Sequence, residues 1–491
     1  MNLTSHEDFI PSSIEEWIEI HGEPIYVDSD CNASDNLNIS VKDCPMIPYE
    51  EQEGYIGLDR CIYETKNGRK QINYPNITTA LASAFNIIYN HGLFYTPDGV
   101  LHESALRKEI VSCLETADFT ERLDIPTNAI VNTIADKTGC EDFSAKVDVI
   151  PFQNGDLHIK DKVWEFRRGE KLHSPYRLNV NFIEKDLPMP WFSKWVNDLF
   201  DKDDVITIQE MIGYCLVPTN AAQEAFILVS NGGAGKSVLT HLMQSIFGNA
   251  FISPEIKELA EGRFALQMAE NKLVVYDDDL KTEALSETGV LKKLITATQP
   301  IKAERKYKDP FEFLPYCTVI ANGNDMLKTL YDDSDGFYRR LHPIKLKDKS
   351  PNRRDIANMD KLVADEKDAI IRWALKGLLR VKNNNWKIHW SEKSIQYMSE
   401  ERSKGVHFEQ FFEDVIENDI GASVTSKQLY DVYKTWARAN DIQAVSSRRL
   451  HSWFGENFEK LKLAKTRIGD KRLNGYLNIK IKSAWTQSII L

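Results

Sequence analysis

Eight residues, Ser230-Asn-Gly-Gly-Ala-Gly-Lys-Ser237, constrain this chain more than any others. They follow an apolar run, Ala225 to Ser230, that reads as a buried strand. They precede Lys236 to Phe247, whose apolar residues recur at helical spacing. A turn from strand to helix through Gly232, Gly233 and Gly235 gathers consecutive backbone N–H groups with few Cβ atoms between them. Such a turn cradles phosphate. Asn231, Gly232, Gly233, Ala234 and Gly235 would form the loop, Lys236 would reach the terminal phosphates and Ser237 would ligate Mg2+. The helix N-terminus adds its own partial positive charge. The usual pattern has glycine six residues before the lysine, where Ser230 stands here, but the strand-turn-helix context is intact.

Some 40 residues on, Leu273-Val-Val-Tyr276 runs into Asp277, Asp278 and Asp279. A buried strand ending in adjacent carboxylates can hold one for Mg2+ and one to polarise an attacking water. We assign Asp277 to the metal and Asp278 to the water, with Asp279 a solvated neighbour. A third strand, Tyr316 to Ala321, ends at Asn322, which either senses the γ-phosphate and positions water or serves as a turn residue before Gly323. Arg339 and Arg340 follow; one of them could act as an arginine finger in a neighbouring subunit, the alternative being a surface basic pair. Residues 301–313 alternate on either side of Lys308-Asp-Pro310 and predict a hairpin with a basic tip. Lys306 and Lys308 would then grip DNA phosphates, or simply guard an edge hairpin.

Strands alternating with helices predict an α/β fold with a parallel sheet covered on both faces. At 491 residues the chain calls for several structural units. We divide it into an acidic module (1–75), a mainly helical domain (76–200), the ATPase core (201–350), a helical linker (351–404) and a C-terminal domain (405–491). Helical spacing dominates Ile77 to Glu115 and 181–218, and Asn154-Gly155 predicts a hairpin turn between Val149–Phe152 and Asp156–Ile159. No apolar run reaches the roughly 18 residues needed to span a bilayer, and Met1 to Ile10 carries Glu7 and Asp8 but no basic residue. The expectation is a cytoplasmic protein with no membrane contact. Seven scattered cysteines without a close pair predict reduced thiols rather than a zinc site.

The net charge of −12 is uneven: residues 1–60 hold 14 acidic and 2 basic residues, whereas 446–482 hold 10 basic and 3 acidic. Phosphate binding depends on such clustering rather than on the total. Lys427 to Trp436 predicts an amphipathic helix with Leu429, Tyr433 and Trp436 on one face. A second helix capped by Ser446-Ser447 carries Arg448 and Arg449, and strands at 461–466 and 476–481 flank Arg467, Lys471 and Arg472. Helix, helix and basic hairpin make a winged helix-turn-helix suited to double-stranded DNA, or a protein-binding version of it.

Together these residues resemble the superfamily 3 helicase module of the phage, plasmid and poxvirus-type primase–helicase family, from about Leu101 to Ile481. Ile150-Pro-Phe-Gln-Asn-Gly155, His173-Ser-Pro175 and Gln209-Glu-Met-Ile-Gly213 are further points of resemblance. The resemblance implies an AAA+ fold, a homo-hexameric ring, ATP with Mg2+, and 3′→5′ translocation on single-stranded DNA. It also implies the replication of a mobile element, with origin recognition through the C-terminal domain and with a primase, polymerase or other replication proteins as partners. Asp28-Ser-Asp30 echoes the paired aspartates of a polymerase-type site, but there is no room for its sheet or a third acid, and primase activity is not expected on this chain. Two other readings stand beside the helicase: a loader or remodeller without unwinding activity, and a DNA-binding regulator switched by nucleotide.

Overall fold

The computed structural model describes residues 37–43, 56–119, 122–140, 143–161, 163–230, 235–281, 285, 287–306, 309–327, 335–348, 356–403, 408–440, 444, 447, 450–451, 453–454, 464–468 and 471–486. Five strands form its central sheet: β1 (Ala225–Val229), β2 (Phe251–Ile252), β3 (Val274–Asp277), β4 (Thr318–Gly323) and β5 (Leu341–Lys345). All neighbours are parallel, in the order β2-β3-β4-β1-β5.

Successive strand residues face opposite sides, so the sheet divides its apolar residues between two cores. Phe226, Leu228, Val274, Tyr276, Ile320 and Ile344 join one core, with helix α1 (Ser237–Phe247) and the Pro190–Leu199, Lys202–Tyr214 and Lys367–Asn383 helices. Ala225, Ile227, Val229, Val275, Val319, Ala321 and Leu341 join the other, with the Ile256–Glu261 and Gly289–Thr296 helices. Coverage on both faces explains why these strands read as continuous apolar runs.

The Lys202–Tyr214 and Lys367–Asn383 helices cross where two glycines let their backbones meet. A Cβ on Gly213 would lie 2.2 Å from the Ala374 carbonyl oxygen, and one on Gly377 would lie 2.3 Å from that of Gln209. Gln209 Nε2 donates to the Trp373 carbonyl at 2.8 Å, and Arg380 Nε donates to Glu210 Oε1 at 3.0 Å. The Gln209–Gly213 landmark is therefore half of a helix crossing.

Residues 76–200 are not mainly helical. Between the Tyr74–Ala84 and Glu103–Thr116 helices the chain makes a three-stranded antiparallel sheet, Ile88–Asn90, Leu93–Thr96 and Gly99–Leu101. His91, Gly92 and Gly99 take positive φ and turn the chain sharply where a helix would have to continue. The hairpin expected around Asn154-Gly155 is present, as Val149–Phe152 against Gly155–His158, and Trp164–Arg168 extends it. Ile39–Asp43 adds a parallel fourth strand.

Inside this hairpin Asp156 and Arg177 form an ion pair at 2.7 Å, with side chains 0% and 1% exposed. Arg177 also donates to the carbonyls of Pro97, Phe152 and Leu172, tying three segments together, while Asp156 accepts from Leu172 N. Burial raises the Asp156 carboxyl above its usual range, and the Arg177 guanidinium opposes the shift.

In the C-terminal region, the Ser426–Ala439 helix starts with a capping box between Thr425 and Gln428 and buries Leu429, Tyr433 and Trp436 as expected. Leu450 and Phe454 lie in the same core, which rests on a three-stranded antiparallel sheet of Ile416–Thr425, Lys471–Ile481 and Ala464–Ile468. Arg448 and Arg449 lie outside the described residues.

Removing one partner of a buried ion pair strands the other. Arg177→Ala is therefore expected to cost about 3–5 kcal/mol of unfolding free energy in a denaturant titration; a loss below about 1 kcal/mol contradicts this account of the pair.

Candidate functional site

In a parallel sheet every strand ends on the same edge, and there β1, β4 and β3 lie side by side. Ser230 follows β1, Asn322 and Gly323 end β4, Asp277 ends β3 and Asp278 follows it. Gly235 leaves the glycine-rich loop at φ +91°, a backbone that side-chain-bearing residues rarely adopt. Lys236 Nζ donates to the carbonyls of Ser230, at 3.2 Å, and Gly323, at 2.8 Å, bridging β1 and β4. Burial holds this ammonium below the usual lysine range, with Asp279 and Asp278 opposing. Ser237 is exposed at the start of α1. Asn231, Gly232, Gly233 and Ala234 lie outside the described residues.

Asp277, the last strand residue, and Asp278, just beyond it, take hydrogen-bond partners on opposite sides of the sheet. Asp277 turns away from α1: its Oδ2 accepts from Ile256 N at 2.7 Å and its Oδ1 from Asp279 N at 3.2 Å. Burial raises its carboxyl above the usual range. Asp278 turns toward α1, where its Oδ1 accepts from Thr240 Oγ1 and, at 2.8 Å, from Asn322 Nδ2. Asn322 is buried, and its Oδ1 accepts from the Tyr276 hydroxyl at 3.0 Å. Tyr276, Asn322, Asp278 and Thr240 thus form one hydrogen-bonded chain beside Lys236.

Thr240 and Tyr276 were not singled out in the sequence, although the signals exist. Thr240 lies three residues beyond Ser237, on the same helix face. Tyr276 lies two residues before Asp278, the spacing that puts two side chains on one side of an extended chain, and both meet Asn322.

Other expected residues lie elsewhere. The Arg340 carbonyl accepts from Ala225 N at 2.7 Å, at the opposite end of β1. Arg339 and Arg340 are therefore separated from their own loop by the length of a five-residue strand, roughly 16 Å. The expected hairpin exists as Ile301–Ala303 against Phe311–Phe313. On the loop side of its first strand, Arg305 pairs with Glu270, donates to the His91 carbonyl at 3.0 Å and lies 4.0 Å over the Phe311 ring. Lys306 is exposed beyond it, and Lys308 lies outside the described residues. Arg467, Lys471 and Arg472 belong to the strand pair Ala464–Ile468 and Lys471–Ile481. Among the described residues no helix is long and apolar enough to cross a membrane.

The Pro190–Leu199 helix supports the loop from outside the sheet. The Glu366 carboxylate accepts from Trp191 N at 3.0 Å and Phe192 N at 2.8 Å. Burial nevertheless pushes the Glu366 carboxyl up to about 7. Between the ordinary value of 4.5 and about 7 the folded chain holds a proton that the unfolded chain has lost, so this group's stabilisation falls as pH rises through that window. Thermal unfolding at pH 5 and pH 8 should accordingly show the wild type losing stability relative to Glu366→Gln as pH rises. An unchanged difference contradicts the shifted carboxyl.

Two family models match parts of the chain: a family of unknown function, DUF5906, over residues 228–340, and the Poxvirus D5 protein-like family over 409–486. A protein of Acanthamoeba polyphaga mimivirus described as "Putative helicase" is 26% identical over 234 residues, 44% of this chain. The chain spans about a quarter of that relative's length, 24%. Two apo structures of the NrS-1 C terminal region each align over 80% of this chain and 95% of their own, at 13% identity, with TM-scores of 0.46 and 0.44. The sequence matches support a relationship to viral helicase-type proteins.

Proposed function

We propose that this chain is an ATP-driven DNA helicase of the superfamily 3 AAA+ type that replicates a phage, plasmid or genomic island. The observation that carries the reading is the convergence of Lys236, Asp278 and Asn322 on one edge of a parallel sheet, directly after a glycine-rich loop. In open α/β sheets ligands bind outside the carboxyl ends of the strands. Lys236 would exchange the Ser230 and Gly323 carbonyls for phosphate oxygens, and the backbone of Asn231 to Gly235 would surround them.

The donor set suits magnesium. The Ser237 hydroxyl and the Asp278 carboxylate are hard oxygens, and Asp278 Oδ2 has no partner among the described residues. Mg2+ bound with ATP supplies charge neutralisation at the transferring phosphate. We assign the metal side to Asp278 rather than Asp277, whose carboxylate is occupied by the Ile256 and Asp279 amides. Asn322, held by Tyr276, is the group to orient the attacking water.

The position of Arg339 and Arg340 at the far edge favours action on a neighbour's nucleotide, as in a homo-hexameric ring. Lys306 and Lys308 would line the ring's channel and grip single-stranded DNA during 3′→5′ translocation. Arg448, Arg449, Arg467, Lys471 and Arg472 would meet double-stranded DNA through a winged helix.

Forked DNA with 3′ or 5′ tails tests the proposal. The wild type should hydrolyse ATP faster with single-stranded DNA present and unwind forks with a 3′ tail. Lys236→Ala should lower hydrolysis by on the order of 100-fold or more, the scale of losing one transition-state charge stabiliser. Lys306→Ala/Lys308→Ala should keep hydrolysis and lose unwinding. Turnover without unwinding in the wild type points to a remodeller, operator binding without turnover to a regulator, and full unwinding by the hairpin variant removes the hairpin from the motor.

A further inference from the structure

Trp195 is 1% exposed, and its indole Nε1 donates to the Gly235 carbonyl at 3.1 Å. The helix that carries it is held at both ends. The Glu366 carboxylate receives the amides of Trp191 and Phe192. At the other end Lys347, just beyond β5, donates its backbone N–H to the Leu199 carbonyl at 2.8 Å and its ammonium to the Asn197 carbonyl at 2.9 Å. The ring itself is fixed between Phe192 and Phe200, with centroids 5.8 and 5.7 Å away. An indole so fixed offers one N–H in one direction, and the loop uses it.

The consequence follows from the planar trans peptide, in which the carbonyl and the next N–H point in opposite directions. Holding the Gly235 carbonyl against Trp195 turns the Lys236 N–H away from the indole and so fixes its direction at the start of α1. Gly235 alone would not fix this orientation, because glycine visits several backbone conformations at little cost.

We propose that Trp195 is a positioning residue for the phosphate loop, so that the segment preceding the sheet sets nucleotide affinity through the Gly235–Lys236 peptide. This rests on the nucleotide-binding reading above. Trp195 acts through the loop backbone and touches no reacting atom.

The test is equilibrium binding of a non-hydrolysable ATP analogue with Mg2+ to the full chain. Trp195→Phe keeps a ring in the core and removes the donor. It should weaken binding about tenfold, which at 1.4 kcal/mol per decade is the scale of one hydrogen bond. Single-stranded DNA affinity without nucleotide should stay within about twofold. Trp195→His, which restores a ring N–H, should recover part of the lost affinity. The wild type gives a second readout that needs no variant: in 15N-indole spectra, analogue binding should shift a slowly exchanging indole N–H.

Equal analogue affinity in wild type and Trp195→Phe overturns the role of Trp195 and leaves the nucleotide site standing. A wild type that binds the analogue without shifting any slowly exchanging indole overturns it too. A wild type that binds no analogue overturns both readings.

Discussion

Parallel pairing of β1, β4 and β3 is the constraint on which the candidate site depends. Because the three strands run the same way, their ends open on one edge, and that edge receives Ser230, Gly323, Asn322 and Asp278 together. β4 lies between the other two, so Asn322 reaches across to Asp278 while the carbonyl of Gly323 meets Lys236. An antiparallel arrangement would send half of these residues to the opposite end. The apolar cores on both faces therefore hold the site's geometry as well as the fold.

The same pairing limits what one chain can do. Arg340 lies beside the start of β1, a strand's length from the loop. On the proposed reading a single chain carries the phosphate cradle at one edge and the arginines for another copy's cradle at the other. Nucleotide turnover would then be coupled to the arrangement of subunits.

Much of this site was legible in the sequence because its signals are local. Ser230 to Ser237 and Leu273 to Asp278 are short runs whose spacing alone names a turn and a strand end. The division between Asp277 and Asp278 was not legible, since it depends on which face α1 covers and on the Ile256 amide that occupies Asp277. Trp195 was hidden for a similar reason: its partner lies 40 residues away, and a buried tryptophan reads as core. In residues 76–200 helical spacing hid a small sheet, because turns at His91-Gly92 and Gly99 interrupt a pattern whose apolar residues suit either structure. The Asp156–Arg177 pair joins residues 21 positions apart on segments whose pairing no local spacing announces.

On the proposed reading Asp278, on the α1 face, is the carboxylate of a magnesium–nucleotide site, and Asp277 braces the strand end. Binding of a non-hydrolysable ATP analogue, measured with and without Mg2+ on Asp277→Asn and Asp278→Asn, tests it most directly. The Mg2+-dependent gain in affinity should disappear in Asp278→Asn and persist in Asp277→Asn. Loss of that gain in Asp277→Asn with retention in Asp278→Asn would contradict it.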